Sequence, residues 1–111
     1  MGLLLVDGMN VIGSRPDGWW RDRKGAQRRL AAELEALDGP VAVVFDGKPH
    51  EIEAGEVEVH FAPVADDEIT RLAGPGDRVV TSDAELAARV SAKGAEVEGA
   101  GAFRRRLDAR D

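Results

Sequence analysis

The chain has 111 residues, 43% hydrophobic and 32% charged, with no cysteine, two histidines and a formal net charge of −6. Such a composition describes one globular domain with a single core; it excludes a disordered chain, disulfides, thiolate nucleophiles and cysteine-based zinc sites. No apolar stretch approaches the length of a membrane span. With no cysteine and only two histidines, any metal would be held by oxygen ligands, which suits Mg²⁺ or Mn²⁺. No charged segment precedes the first apolar run, and Val6 lacks the hydroxyl of a myristoylation motif, so a cytoplasmic location is expected.

The run Leu3–Val6 is too short for a globular helix and stops at Asp7-Gly8, as a strand buried on both faces does. Asp7 then stands at the carboxyl end of a central strand, where open α/β sheets place their ligands. Gly8 eases the turn there, and Asn10 is placed to aim its amide back at the same crevice. Residues 13–21 read as a loop. A helix is expected from about Asp22 to Leu37, with Ala26, Leu30, Leu34 and Leu37 on one face, stopped by Asp38-Gly39-Pro40.

Val41–Phe45 is a second buried strand, and it too runs into Asp-Gly, at Asp46-Gly47. After a polar loop, residues 56–61 alternate, as an edge strand with one wet face does. Its connection to the second strand is short for a parallel crossover, so it is either antiparallel or joined by a bare loop. A helix begins at Ala65 and ends near Gly74, and a strand follows over Arg78–Thr81. Ser82 and Glu85 spell a capping box for a helix over residues 83–93, with Gly94 at its exit. A short strand, Ala95–Glu98, and a helix from about Ala102 to Ala109 close the chain. Strands alternating with helices imply a mainly parallel sheet covered on both faces.

The acidic residues form a pattern. Asp7 and Asp46 end strands, Asp83 follows one, and Asp66 and Asp67 open a helix. Each singly has a turn or capping explanation. In a parallel sheet the carboxyl ends share one edge, so the carboxylates converge and repel unless a divalent cation sits among them. Such a cation could activate a water and stabilise the charge that gathers on a phosphodiester. His50 and His60 read as solvated.

Arg15, Arg21, Arg23, Lys24, Arg28 and Arg29 form one basic zone on this acidic chain, and Arg104, Arg105, Arg106 and Arg110 a second. The loop Gly13–Arg21 follows the first strand directly, so Arg15, Trp19, Trp20 and Arg21 are expected to overhang the acidic edge, with a tryptophan stacking on an unpaired base. Arg23, Lys24 and Arg28 would also track the backbone, the last two about a turn further from the edge and expected to matter less.

Val6-Asp7-Gly8-Met9-Asn10-Val11-Ile12, Val43–Gly47, Ala65–Ile69 and Val80-Thr81-Ser82-Asp83, in that order, resemble the NYN domain of the YacP-like group, a branch of the PIN-like nucleases. The resemblance spans essentially the whole chain and implies one PIN-like domain over residues 1–111, three-layered α/β/α, with sheet order 3-2-1-4-5. It implies a Mg²⁺- or Mn²⁺-dependent endoribonuclease, and hydrolysis of single-stranded RNA by a metal-activated water is the expected reaction. Asp7, Asp66 and Asp83 match the group's acidic positions, Asp46 stands as a fourth and Asp67 as a neighbouring ligand; Asn10 matches the polar residue after the first acid. Val64 stands where the group often has threonine, and the chain is shorter than usual for the group. The alternative is a catalytically weak or inactive RNA-binding or ribosome-associated module. RNA is the expected partner, and a monomer or weak homodimer the expected assembly.

Overall fold

A computed structural model describes residues 2–110; Met1 and Asp111 lie outside the described residues. The elements follow as β1 (Leu4–Asp7), α1 (Gly8–Gly13), a 3-10 turn (Trp19–Arg21), α2 (Arg23–Leu34), β2 (Val41–Asp46), β3 (Glu58–Ala62), α3 (Ala65–Leu72), β4 (Arg78–Val80), α4 (Ala84–Ser91), β5 (Glu96–Glu98) and α5 (Ala100–Asp108). The five strands form one sheet in the order β3-β2-β1-β4-β5, and every neighbouring pair is parallel. The short crossover from β2 to β3 is thus a bare loop rather than a reversal of direction.

Period-two alternation sends successive residues of the central strands to opposite faces, and each face builds its own core. Val6, Val43 and Phe45 pack with Val11, Ile12, Leu30, Leu34, Phe103 and Leu107, which places α1, α2 and α5 on one face. Leu5, Ala42, Val44 and Val79 pack with Ile69, Leu86 and Val90, which places α3 and α4 on the other. Each fully buried Val, Leu, Ile or Phe in these layers contributes roughly 1.5–3 kcal/mol. Among the described residues no helix is long and apolar enough to cross a membrane.

Two local expectations are corrected. The chain does not simply turn after Asp7: α1 starts at once, with Val11 and Ile12 buried. Gly8 is required by packing, because a Cβ there would collide with the Phe45 ring. The cap of α4 is Asp83, whose carboxylate accepts from the Leu86 N–H, rather than Ser82. Ser82 Oγ instead accepts from the Ala100 N–H at 2.9 Å and caps α5 in place of Gly99, which has no side chain to do so.

Candidate metal centre and nucleic-acid interface

Because the sheet is parallel, β1, β2 and β4 bring Asp7, Asp46 and the residues after Val80 to one edge. Asp7 is 5% exposed. Burial pushes its carboxyl up to about 6, helped by the charges of Asp66 and Asp46, while the Thr81 hydroxyl and the backbone N–H of Asn10 oppose the shift. Asp66 is also raised, first by burial and then by Asp83 and Asp46, with Arg89 partly offsetting them. Hydrogen bonds bring the four into one neighbourhood: Thr81 links Asp7 to Asp83, and Asp46 holds the N–H of Ala65, next to Asp66. None of the four forms an ion pair among the described residues. Asp67 turns outward to Arg89, at 3.0 Å.

Each of the three acids at a strand end has one oxygen committed to the fold. Asp7 Oδ2 accepts from Thr81 Oγ1 at 2.9 Å, and Asp83 Oδ1 accepts from Leu86 N at 3.0 Å. Asp46 Oδ1 accepts from Ala65 N at 2.8 Å. That bond makes up for Val64, which occupies the N-cap of α3 and has no oxygen to offer. Thr81, 2% exposed, also accepts from the Asp83 N–H at 3.1 Å, which directs its own proton to Asp7. Asn10 Oδ1 accepts from the Ser82 N–H at 2.7 Å, which leaves the amide's two N–H donors for the crevice.

The basic residues divide into structural and free ones. Arg15, expected at the interface, is buried and holds Glu33 at 2.8 Å and Asp108 at 3.0 Å, tying α1 to α2 and α5. The loop does not overhang the edge directly, because α1 first carries the chain away. Its contacts step along α2 a turn at a time, from Arg15–Glu33 to Asp17–Arg29 to the Asp22 cap on Gly25 N. The loop therefore runs back to the start of α2, whose Gln27 bonds to Met9 in the first turn of α1. There Trp19 packs on the core while Trp20 is 58% exposed. Arg21 lies over the Trp20 ring and Arg23 over Trp19, both at 5.8 Å. Arg21, Arg23, Lys24 and Arg28 form no ion pair among the described residues, so this end of α2 is a basic, aromatic surface. The second basic zone is largely consumed internally: Arg104 by Asp108, Arg106 by Glu98 and Arg110 by the Ala36 carbonyl.

Residues 30–101 match DUF188, described as the uncharacterized YaiI/YqxD family. The chain belongs to the YaiI/YqxD family. Among solved structures, this YaiI/YqxD chain is similar to Rae1 (YacP) from Bacillus subtilis, at 30% identity and a TM-score of 0.75, over 98% of this chain and 75% of that one. A mutant of the same Bacillus subtilis protein, with one tryptophan replaced by leucine, aligns at 29% identity and a TM-score of 0.78, over 98% and 76%. No curated protein matches the sequence.

The donor set of this YaiI/YqxD chain suits a hard divalent cation: oxygen ligands alone, uncompensated by ion pairs, with one buried carboxylate held well above its ordinary range. As the side chains stand, no three His, Asp or Glu groups among the described residues close around a common point. The capping bonds of Asp46 and Asp83 keep an oxygen of each on the backbone. Thr81 and the oxygen-capping role of Asp46 escape sequence reading, although Thr81 lies directly between β4 and the recognised Asp83. His50, expected to be solvated, is half-buried on Gln27 and Phe61.

Proposed function

We propose that the chain is a PIN-like (NYN) domain acting as a Mg²⁺- or Mn²⁺-dependent endoribonuclease on single-stranded RNA. The observation that carries this reading is the meeting of Asp7, Asp46, Asp66 and Asp83 at one sheet edge without ion pairs, with Asp7 buried and its pKa near 6. The motif resemblance to the YacP-like group and the likeness to Rae1 (YacP) support it. A bound divalent ion would supply an activated water and offset the charge that gathers on the phosphodiester. Asp7, Asp66 and Asp83 would hold that ion, with Asp46 beside them and Asp67 at the rim. Thr81 keeps Asp7 oriented by donating to it. The Asn10 carbonyl oxygen is taken by Ser82, so its amide donates to a phosphate oxygen and is not a metal ligand. Trp20, Arg21, Arg23, Lys24 and Arg28 track the strand.

With water as the nucleophile, cleavage leaves 5′-phosphate and 3′-hydroxyl ends. The test is incubation of end-labelled single-stranded RNA with Mn²⁺ or Mg²⁺. Wild type should cut, with such ends; Asp7→Asn and Asp66→Asn should not, while remaining folded. Normal cleavage by Asp7→Asn would overturn the assignment. A second reading, an RNA-binding or ribosome-associated module with weak or no catalysis, is favoured by the capping bonds that hold Asp46 and Asp83 back from a closed cage. It predicts salt-sensitive RNA binding that survives EDTA, with no products under any divalent ion.

A further inference from the structure

An open cavity of about 610 Å³ lies between α2 and the β2–β3 connection, lined by Arg28 on one side and Glu51, Ile52 and Glu53 on the other. We propose that it is a subsite for a guanine base of the bound single strand, an inference that rests on the RNA reading above.

The loop wall is preset. His50 binds Gln27, a buried residue of α2, and its ring meets Phe61 at 5.2 Å between centroids. Ile52 packs against the core. With His50 and Ile52 turned inward, Glu51 and Glu53 both remain exposed on the outer side, toward the cavity. Arg28 lines the same cavity, yet forms no ion pair with either glutamate among the described residues. Opposite charges therefore face each other across a gap, in a volume within the range of small-molecule sites.

The chemistry of that gap selects among bases. Guanine alone offers two acceptors, O6 and N7, on one edge, matched to a guanidinium, and N–H donors on the adjoining edge, matched to a carboxylate. Adenine would satisfy a glutamate but leave Arg28 without a pair of acceptors; cytosine has such a pair in O2 and N3 but carries its amino group on that same edge, so Arg28 and a glutamate on the facing wall are not both met; uracil lacks the amino group. Ile52 supplies an apolar surface for the ring. Arg28 stands a single turn beyond Lys24, so a strand following the basic face of α2 passes the mouth of the cavity.

The experiment is fluorescence anisotropy in EDTA with labelled uridine heptamers whose central base is uracil, guanine, inosine, adenine or cytosine. The guanine strand should bind wild type about tenfold more tightly than the uracil strand, in keeping with one good bidentate contact. Inosine, which lacks the 2-amino group, should fall between them, and adenine and cytosine should resemble uracil. In the doubly substituted Glu51→Gln, Glu53→Gln protein, exposed at both positions, the guanine-to-uracil ratio should fall below about twofold. Equal binding of all five strands by wild type would overturn the subsite and leave the RNA reading standing; no binding of any strand would overturn both. A guanine preference that persists in the double variant would place the reader elsewhere. Guanosine monophosphate binding as tightly as the guanine strand would overturn a strand subsite in favour of a free-nucleotide site.

Discussion

Replacing Asp7 by Asn should stabilise the metal-free protein. The carboxyl of Asp7 is raised from its ordinary 3.8 to about 6, first by burial and then by Asp66 and Asp46. A raised carboxylate pKa means that ionisation disfavours the fold, so the penalty is absent below about pH 4. It grows as pH rises between the unfolded and folded pKa values, and is complete above pH 6. Roughly two units at 1.36 kcal/mol each amount to about 3 kcal/mol. Asn has the same shape, escapes the penalty and can still accept from Thr81, although a neutral acceptor forfeits about 1 kcal/mol of that bond. The net gain is about 2 kcal/mol at pH 7.5, a rise in Tm of roughly 8 °C. Thermal unfolding in EDTA from pH 4 to 7.5 reads this directly. A variant that melts below wild type at pH 7.5, or a Tm difference that does not change with pH, would refute the electrostatic account of the site.

Three further outcomes follow from the geometry. Thr81→Val removes the donor to Asp7 and leaves the partly buried Asp83 N–H unmatched, so denaturant unfolding should show a loss of about 2 kcal/mol, most of it recovered by Thr81→Ser. Arg15→Met strands Glu33 and Asp108, both partly solvated; the expected cost is about 1–2 kcal/mol in stability, with RNA affinity at the α2 surface unchanged. Trp20→Ala should cost on the order of 1–3 kcal/mol in binding single-stranded RNA, far less on duplex, and leave Tm unaltered, since the ring is largely exposed. Equal losses on single and double strands would show that the ring does not stack.

The strands and the acids were legible because their signals are local. Leu3–Val6 and Val41–Phe45 are apolar runs that end at Asp-Gly, and a parallel sheet then carries Asp7, Asp46 and Asp83 to one edge. Sheet order came from the motif resemblance rather than from periodicity. What stayed hidden depends on distant partners. Gly8-Met9-Asn10 reads as a turn, and only the Phe45 ring reveals that Gly8 is there to let α1 pack. Ser82 and Asp83 are both good caps, and the choice between them depends on where the chain leaves β4: Thr81 N still bonds to the Glu98 carbonyl, which delays the start of α4. Arg15 in a Gly- and Pro-containing loop looks solvent-facing; its partners lie 18 and 93 residues away. Arg106 and Arg110 read as part of a basic zone until their contacts are seen: Arg106 turns back to Glu98, and Arg110 reaches the Ala36 carbonyl, 74 residues away.

The central claim is that the acids at the carboxyl edge hold a divalent ion, and anomalous diffraction from crystals soaked in Mn²⁺ tests it most directly. The account predicts a peak at about 2.0–2.3 Å from carboxylate oxygens of Asp7, Asp66 and Asp83. No peak at that edge under saturating Mn²⁺, with the four carboxylates still in place, would contradict it.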